Sequence, residues 1–188
     1  LDEKVQLVAV SKTKPIDYIL EAYQAGQRVF GENKVQELVE KSDVLPDDIQ
    51  WHMIGHLQSN KVKYIAPFVS LIHAVDSKKL LIEIDKRARQ HDRVIHCLLQ
   101  IHIAQESSKF GLSEDEAIEL LEMNLANVSV DGLMGMATFT NDKQQIRSEF
   151  KSLKNTFEKA KSKFNKLSIL SMGMSGDYDI AIEEGSNM

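Results

Sequence analysis

The sequence predicts an α/β fold of the (β/α)8, TIM-barrel type, and three observations carry that expectation. First, short apolar runs alternate with longer amphipathic runs along the chain, giving seven strand–helix units. Strict alternation is the pattern of a parallel sheet. Second, most of the short runs are near-continuous in apolar residues, which suits strands covered on both faces. Third, the first strand–helix turn holds no G-x-G-x-x-G motif. The open dinucleotide-binding sheet thereby loses its main mark, and seven units stand close to the eight of a closed barrel. An open sheet is the other arrangement that the alternation allows.

The expected strands are residues 6–11, 28–31, 50–54, 70–75, 94–103, 128–137 and 167–172. Helical patterns separate them. Pro15 suits a first helical position, Ile19, Ala22 and Tyr23 share a face, and Gly26 stops the run. Val35, Leu38 and Val39 mark a second helix, and residues 60–66 a short third one, ended by Pro67. Ser77 caps a helix that turns Leu80, Leu81, Ile84 and Ala88 inward. Ser113 and Glu116 form a capping box ahead of Ala117, Leu120 and Leu121. Ile146, Phe150, Leu153, Phe157, Ala160 and Phe164 make the clearest stripe of period 3.6. A last helix is expected over about 176–184.

Composition narrows the function. The chain has 188 residues, 43% hydrophobic and 27% charged, so a packed core is affordable and disorder throughout is excluded. No Pro/Gly-rich linker divides it, and residues 1–188 read as a single domain. The net charge of −5 lacks the field that draws proteins onto nucleic acid. No apolar run approaches the roughly 20 residues that span a bilayer. The one cysteine, Cys97, excludes an internal disulfide and a multi-cysteine zinc site, and makes the cytoplasm the expected location. An opening Leu1 in place of Met leads us to expect that the natural N-terminus is missing.

In a barrel of this kind the active face is built at the C-terminal ends of the strands. Lys12 follows the first apolar strand directly. A partly desolvated lysine there has its ammonium form disfavoured, and the free amine attacks aldehydes to give a Schiff base. The plain alternative is a surface lysine that ends a strand. Asn33 and Glu32, after Gly31, either cap a helix or reach into the mouth, with the cap favoured by spacing. His52 and His56 are four apart, but Gly55 after a strand argues against the helix that a metal pair needs. His73, His96 and His102 sit in strand patterns without ligand spacing. Lys109 either contacts an anionic ligand or decorates a loop. The loop Ser171-Met172-Gly173-Met174-Ser175-Gly176-Asp177 joins a strand to a helix, where small residues and unpaired N–H groups favour an anion. Asp177 would repel that anion, so its carboxylate is expected to point away or to cap. Met134, Met136, Met172 and Met174 read mostly as core filler.

Taken together these segments resemble the pyridoxal phosphate homeostasis protein family. The resemblance lies in Ala9-Val10-Ser11-Lys12-Thr13-Lys14-Pro15, Phe30-Gly31-Glu32-Asn33, Trp51-His52-Met53-Ile54-Gly55 and Leu57-Gln58-Ser59-Asn60-Lys61. It continues in Ser108-Lys109-Phe110-Gly111, Gly132-Leu133-Met134 and Ser171-Met172-Gly173-Met174-Ser175. It implies a barrel like the N-terminal domain of alanine racemase. It implies pyridoxal 5′-phosphate (PLP) held as a Schiff base on Lys12, with Asn33 near the ring. It implies that the last loop helps bind the phosphate, so Lys109, Met172, Ser175 and Gly176 join Lys12 and Asn33 as the expected cofactor-binding positions.

Members of the family are regarded as carriers or regulators of the cofactor without established turnover, which makes apo-enzymes that receive PLP the implied partners. Members usually continue past Met188 into an eighth strand with Arg-x-Gly-Thr, and carry a helix before the first strand. The expectation is therefore a barrel that lacks its eighth strand and N-terminal helix, with exposed edges and weakened phosphate binding. The alternative function is a PLP-dependent amino-acid racemase. That reaction needs two acid–base groups, one on each face of the substrate. In alanine racemases one of them comes from a second, β-rich domain, for which this chain has no residues left. A phosphate-binding barrel enzyme without the cofactor would need paired carboxylates or a metal constellation at the strand ends, and the sequence offers none.

Overall fold

The computed structural model describes residues 5–104 and 110–188. Seven strands form one sheet in the order β1-β2-β3-β4-β5-β6-β7. They are β1 (Ala9–Val10), β2 (Val29–Glu32), β3 (Gln50–Met53), β4 (Leu71–Val75), β5 (Ile95–Gln100), β6 (Val128–Gly135) and β7 (Ile169–Met172). Every neighbouring pair is parallel. The helices are α1 (Ile16–Gln24), α2 (Val35–Ser42), α3 (Val62–Ile65), α4 (Lys78–Arg89), α5 (Glu114–Leu121), α6 (Lys143–Lys163) and α7 (Tyr178–Glu183), with a 3-10 turn at Ser59–Lys61.

A sheet whose spatial order equals its chain order winds in one sense and curls into a barrel, whereas a doubly wound sheet reverses direction. Two observations display the curl. The side chains of Ser171 on β7 and His73 on β4 meet, three strands apart, which is geometrically open only across the inside of a curled sheet. At the far edges, Asn187 donates its N–H to the Leu170 carbonyl and accepts from Gln6 N at 2.9 Å. One residue thus bridges β7 and the segment entering β1.

The core has two compartments. The large one lies between sheet and helices and holds Ile72, Leu80, Leu81, Ile84, Cys97, Leu133, Phe150 and Leu170 among others. Each large aliphatic side chain buried there contributes about 1.5–3 kcal/mol. The small one, inside the curl, groups Leu71, Leu98 and Met134 with Met136 and Ile169. The strands are mostly apolar on both faces because each face meets one compartment, with Glu32, His52, His73 and Gln100 as buried polar exceptions.

The element boundaries differ from expectation where pairing stops. β1 is two residues long instead of six, because the preceding Gln6 bonds to Asn187 and not to β2. β5 ends at Gln100; beyond it Ile101 N still donates to Met134 O on β6, and an isolated bridge joins Ile101 to Leu112. Pro15 is the residue before α1 and not its first helical position, with φ −66° and ψ 159°. The expected capping box is present: Ser113 accepts from Glu116 N, and the Glu116 carboxylate accepts from Ser113 N. Among the described residues no helix is long and apolar enough to cross a membrane.

Candidate functional site

Because all strands are parallel, the residues that follow each strand share one rim. Lys12 stands two residues beyond β1, and residues 173–177 follow β7 on the same rim, next to β1 across the Asn187 bridge. Lys12 is exposed, contrary to the partial desolvation expected of it, since the short β1 leaves even Val10 45% exposed. Among the described residues its ammonium has no hydrogen-bond or ion-pair partner.

The backbone under Lys12 is a tight turn. Lys14 N donates to Ser11 O at 3.0 Å, which places Lys12 and Thr13 at the two central positions. Thr13 has φ +61°. The left-handed region at the second central position is a glycine preference, and for a β-branched residue it costs on the order of 1–3 kcal/mol. Other contacts offset that cost. Lys41 Nζ, from α2, donates to Ser11 O, to Glu32 Oε1 and to Glu37 Oε1, each at 2.7 Å. Ser11 Oγ donates to Glu32 Oε1 at 2.6 Å, and Thr13 N donates to Glu37 Oε1 at 2.6 Å. The hydrogen bond from the Lys41 ammonium holds the Glu37 carboxyl below the usual carboxylate range. On the outer side, a cleft of about 430 Å³ lined by Lys14, Lys34, Glu37 and Glu40 opens between α1 and α2.

The spacing in the sequence favours Glu32 and Asn33 as helix caps. The structure overturns this: α2 begins after Lys34 and has no side-chain cap, while the Glu32 side chain is fully buried against Lys41. Asn33 is half-buried at the rim between β2 and α2. Its backbone is pressed by Gly55, where an added Cβ would lie 2.4 Å from Asn33 O. Gly55 is thus a close-approach glycine that lets the β3 loop cross over Asn33.

The two histidines spaced four apart go separate ways. His56 is exposed, pairs with Asp76 at 3.0 Å and stacks on Phe110 with ring centroids 4.4 Å apart. His52 is buried and meets His73, with Nδ1 and Nε2 3.0 Å apart. His73 Nδ1 lies 3.4 Å from Ser171 Oγ, so a polar chain crosses the barrel interior from β3 to β7. Burial lowers the His52 pKa to about 4. For His73, burial and then the neighbouring His52 lower it to about 3. Both rings are therefore neutral at physiological pH.

The β7 loop is a compact turn. Gly173 has φ +91°, and a Cβ there would come within 2.7 Å of Ala181 Cβ, so both conformation and space demand glycine. The Asp177 carboxylate, expected to turn away or to cap, accepts from Met174 N at 2.5 Å and makes no side-chain bond to the helix end. Ser175 and Gly176 are exposed at the tip, ahead of α7, and Gly176 has open space where a Cβ would stand. Met172 is different: its side chain packs in the helix-side core, and its N–H is held by Ser186 Oγ at 3.1 Å. Lys109 lies outside the described residues. The structure thus brings Lys12, Asn33, Ser175 and Gly176 to one rim, with Met172 beneath it.

Residues 1–188 match the N-terminal domain of alanine racemase. The chain belongs to that family. Within the alanine racemase N-terminal domain family it is 41% identical, over 193 residues, to the pyridoxal phosphate homeostasis protein of Vibrio alginolyticus, across 99% of this chain and 83% of that one. It is also similar to the solved structure of PipY from Synechococcus elongatus with PLP bound, with a TM-score of 0.89 and 34% identity over 100% of this chain and 90% of that one. An alanine racemase from Clostridium difficile shares the fold at a TM-score of 0.75 and 14% identity, over 94% of this chain and 47% of the racemase.

Proposed function

We propose that the chain binds PLP covalently at Lys12 and serves the homeostasis of that cofactor inside the cell. The observation that carries the reading is an amine without a partner among the described residues and a glycine–serine turn on the same barrel rim. A PLP-sized ligand needs both, one for its aldehyde and one for its phosphate. The fit is supported by the left-handed Gly173 and the open Gly176, which leave room at the turn for an anion to approach backbone and Ser175 hydroxyl. The relative from Vibrio alginolyticus is named for PLP homeostasis, and the PipY structure holds PLP.

In this reading Lys12 Nζ, as the free amine, adds to the aldehyde carbon; a carbon–nitrogen double bond forms and water leaves with the aldehyde oxygen. Ser175 and Gly176 hold the phosphate, Asn33 lies by the ring, and Met172 supports the turn from below. Bound PLP supplies an electrophilic carbon and an electron-sink ring. We assign no turnover to the chain: racemisation needs acid–base groups on both faces of a substrate, and the histidine pair is buried beneath the rim. Its role is to hold PLP and release it to apo-enzymes.

The test is borohydride reduction of protein incubated with PLP, followed by peptide mass spectrometry. The expected adduct is on Lys12, and Lys12→Ala is expected to lose the visible Schiff-base band. An adduct mapped to another peptide would remove Lys12 from this role, and rapid D-alanine formation from L-alanine would replace the carrier reading by the racemase.

A further inference from the structure

We infer that the charge cluster Glu32–Lys41–Glu37, buried at Glu32 and Lys41, is a positioning device for Lys12: it holds the two peptide groups on either side of the Lys12 Cα and so aims the amine. This rests on the assignment of Lys12 as the cofactor lysine.

The geometry is specific. The carbonyl of the peptide that enters Lys12 belongs to Ser11 and accepts from Lys41 Nζ at 2.7 Å. The N–H of the peptide that leaves Lys12 belongs to Thr13 and donates to Glu37 Oε1 at 2.6 Å. Fixing both peptide planes fixes the direction of the Lys12 Cα–Cβ bond. The two grips are tied together, because Lys41 Nζ also donates to Glu37 Oε1. They are anchored to the sheet through Glu32, which accepts from both Lys41 and Ser11. Glu37 and Lys41 stand one turn apart on α2, with the glutamate N-terminal, the favourable order for such a pair.

Stability alone gives a poor account of this cluster. The Glu32 carboxylate and the Lys41 ammonium are drawn from water, and Glu32 Oε2 is buried without a partner among the described residues. Buried ion pairs are commonly matched or bettered by apolar side chains of the same volume. What an apolar set could not do is hold a threonine in the left-handed region and orient the residue before it. Thr13, with φ +61°, relaxes to an extended conformation once its N–H is released, and Lys12 swings with it.

The distinguishing variants are Glu37→Ala, Thr13→Gly and the two combined. Glu37 is accessible from the outer cleft, so its removal leaves the Glu32–Lys41 pair in place and the chain folded. In protein without cofactor, amide hydrogen exchange at Thr13 is expected to accelerate at least about tenfold in Glu37→Ala. In PLP titrations followed by the visible band, Glu37→Ala is expected to raise the apparent Kd about tenfold, a difference of about 1.4 kcal/mol. Glycine is at ease at a positive φ. Adding Thr13→Gly is therefore expected to return the Kd to within about threefold of wild type, which a general loss of α2 packing would not allow. An unchanged Thr13 exchange rate and Kd in Glu37→Ala would overturn the inference, as would a weakened Kd that Thr13→Gly fails to recover. A wild-type protein that forms no band with PLP would instead overturn the Lys12 assignment, and the positioning role with it.

Discussion

His52 and His73 share a hydrogen bond in a place where neither can take up a proton cheaply. Their folded pKa values, about 4 and about 3, lie below the ordinary 6.5. Below pH 6.5 the unfolded chain therefore binds protons that the folded chain refuses. Their contribution to stability is complete above pH 6.5 and is lost progressively as the pH falls toward 3, at up to about 1.4 kcal/mol per pH unit for each ring. Urea midpoints measured at pH 7 and pH 5 should show this drop in wild type. In His73→Gln, whose side chain does not titrate, the drop should shrink; an equal slope in both proteins would place the acid sensitivity elsewhere. The pair was out of reach of the sequence for a definite reason. His52 and His73 look like isolated strand residues until the parity of β3 and β4 and the curl of the sheet turn both inward. Lys41 was hidden in the same way, as one more charge on an amphipathic helix, although Glu32 within an apolar strand and the Glu37–Lys41 spacing were signals that could have exposed it.

At the scale of elements, the pairing of β6 with β7 depends on one missing side chain. Gly132 faces Ile169 in register, and a Cβ there would lie 1.8 Å from Ile169 O. Gly132→Ala cannot be absorbed by a rotamer change, because the obstacle is backbone. It should cost at least about 2 kcal/mol. The lost protection should appear in hydrogen exchange of β7, the last strand before the glycine–serine turn; unaltered β7 exchange would refute the argument. The elements themselves were largely legible. The strand runs stood out because both compartments demand apolar residues, and α5 was readable from Ser113 and Glu116 because a capping box is a local device. Strand ends were not legible, since they depend on where a neighbour stops pairing. An apolar run over 94–103 looks the same whether or not a partner accompanies it, and β5 in fact stops at Gln100.

For the whole molecule the decisive feature is the bridge at Asn187. Its Oδ1 accepts from Leu170 N and its Nδ2 donates to Ser168 O, both at 2.8 Å, while its backbone joins Leu170 to Gln6. The side chain thus locks Asn187 onto β7, and its backbone ties that strand to the segment entering β1. Asn187→Ala should destabilise the fold by about 1–3 kcal/mol and loosen both sheet edges. Unpaired edges recruit one another, so light scattering of this variant should reveal self-association absent from wild type; a strictly monodisperse variant of wild-type stability would show that the edges need no such tie. The barrel type was foreseen from the alternation of runs, with its eighth strand lacking and its edges exposed, but no sequence pattern announces that a single asparagine links those two edges. The one thiol of the chain adds a practical corollary. Cys97 is sealed in the helix-side core, where burial and then the Asp131 charge push its pKa up. It will not form a thiohemiacetal with vitamin aldehydes, and it should be silent toward maleimides. A cysteine introduced on the rim would then be the sole reactive sulfur, so a single fluorophore could report cofactor arrival and departure in real time.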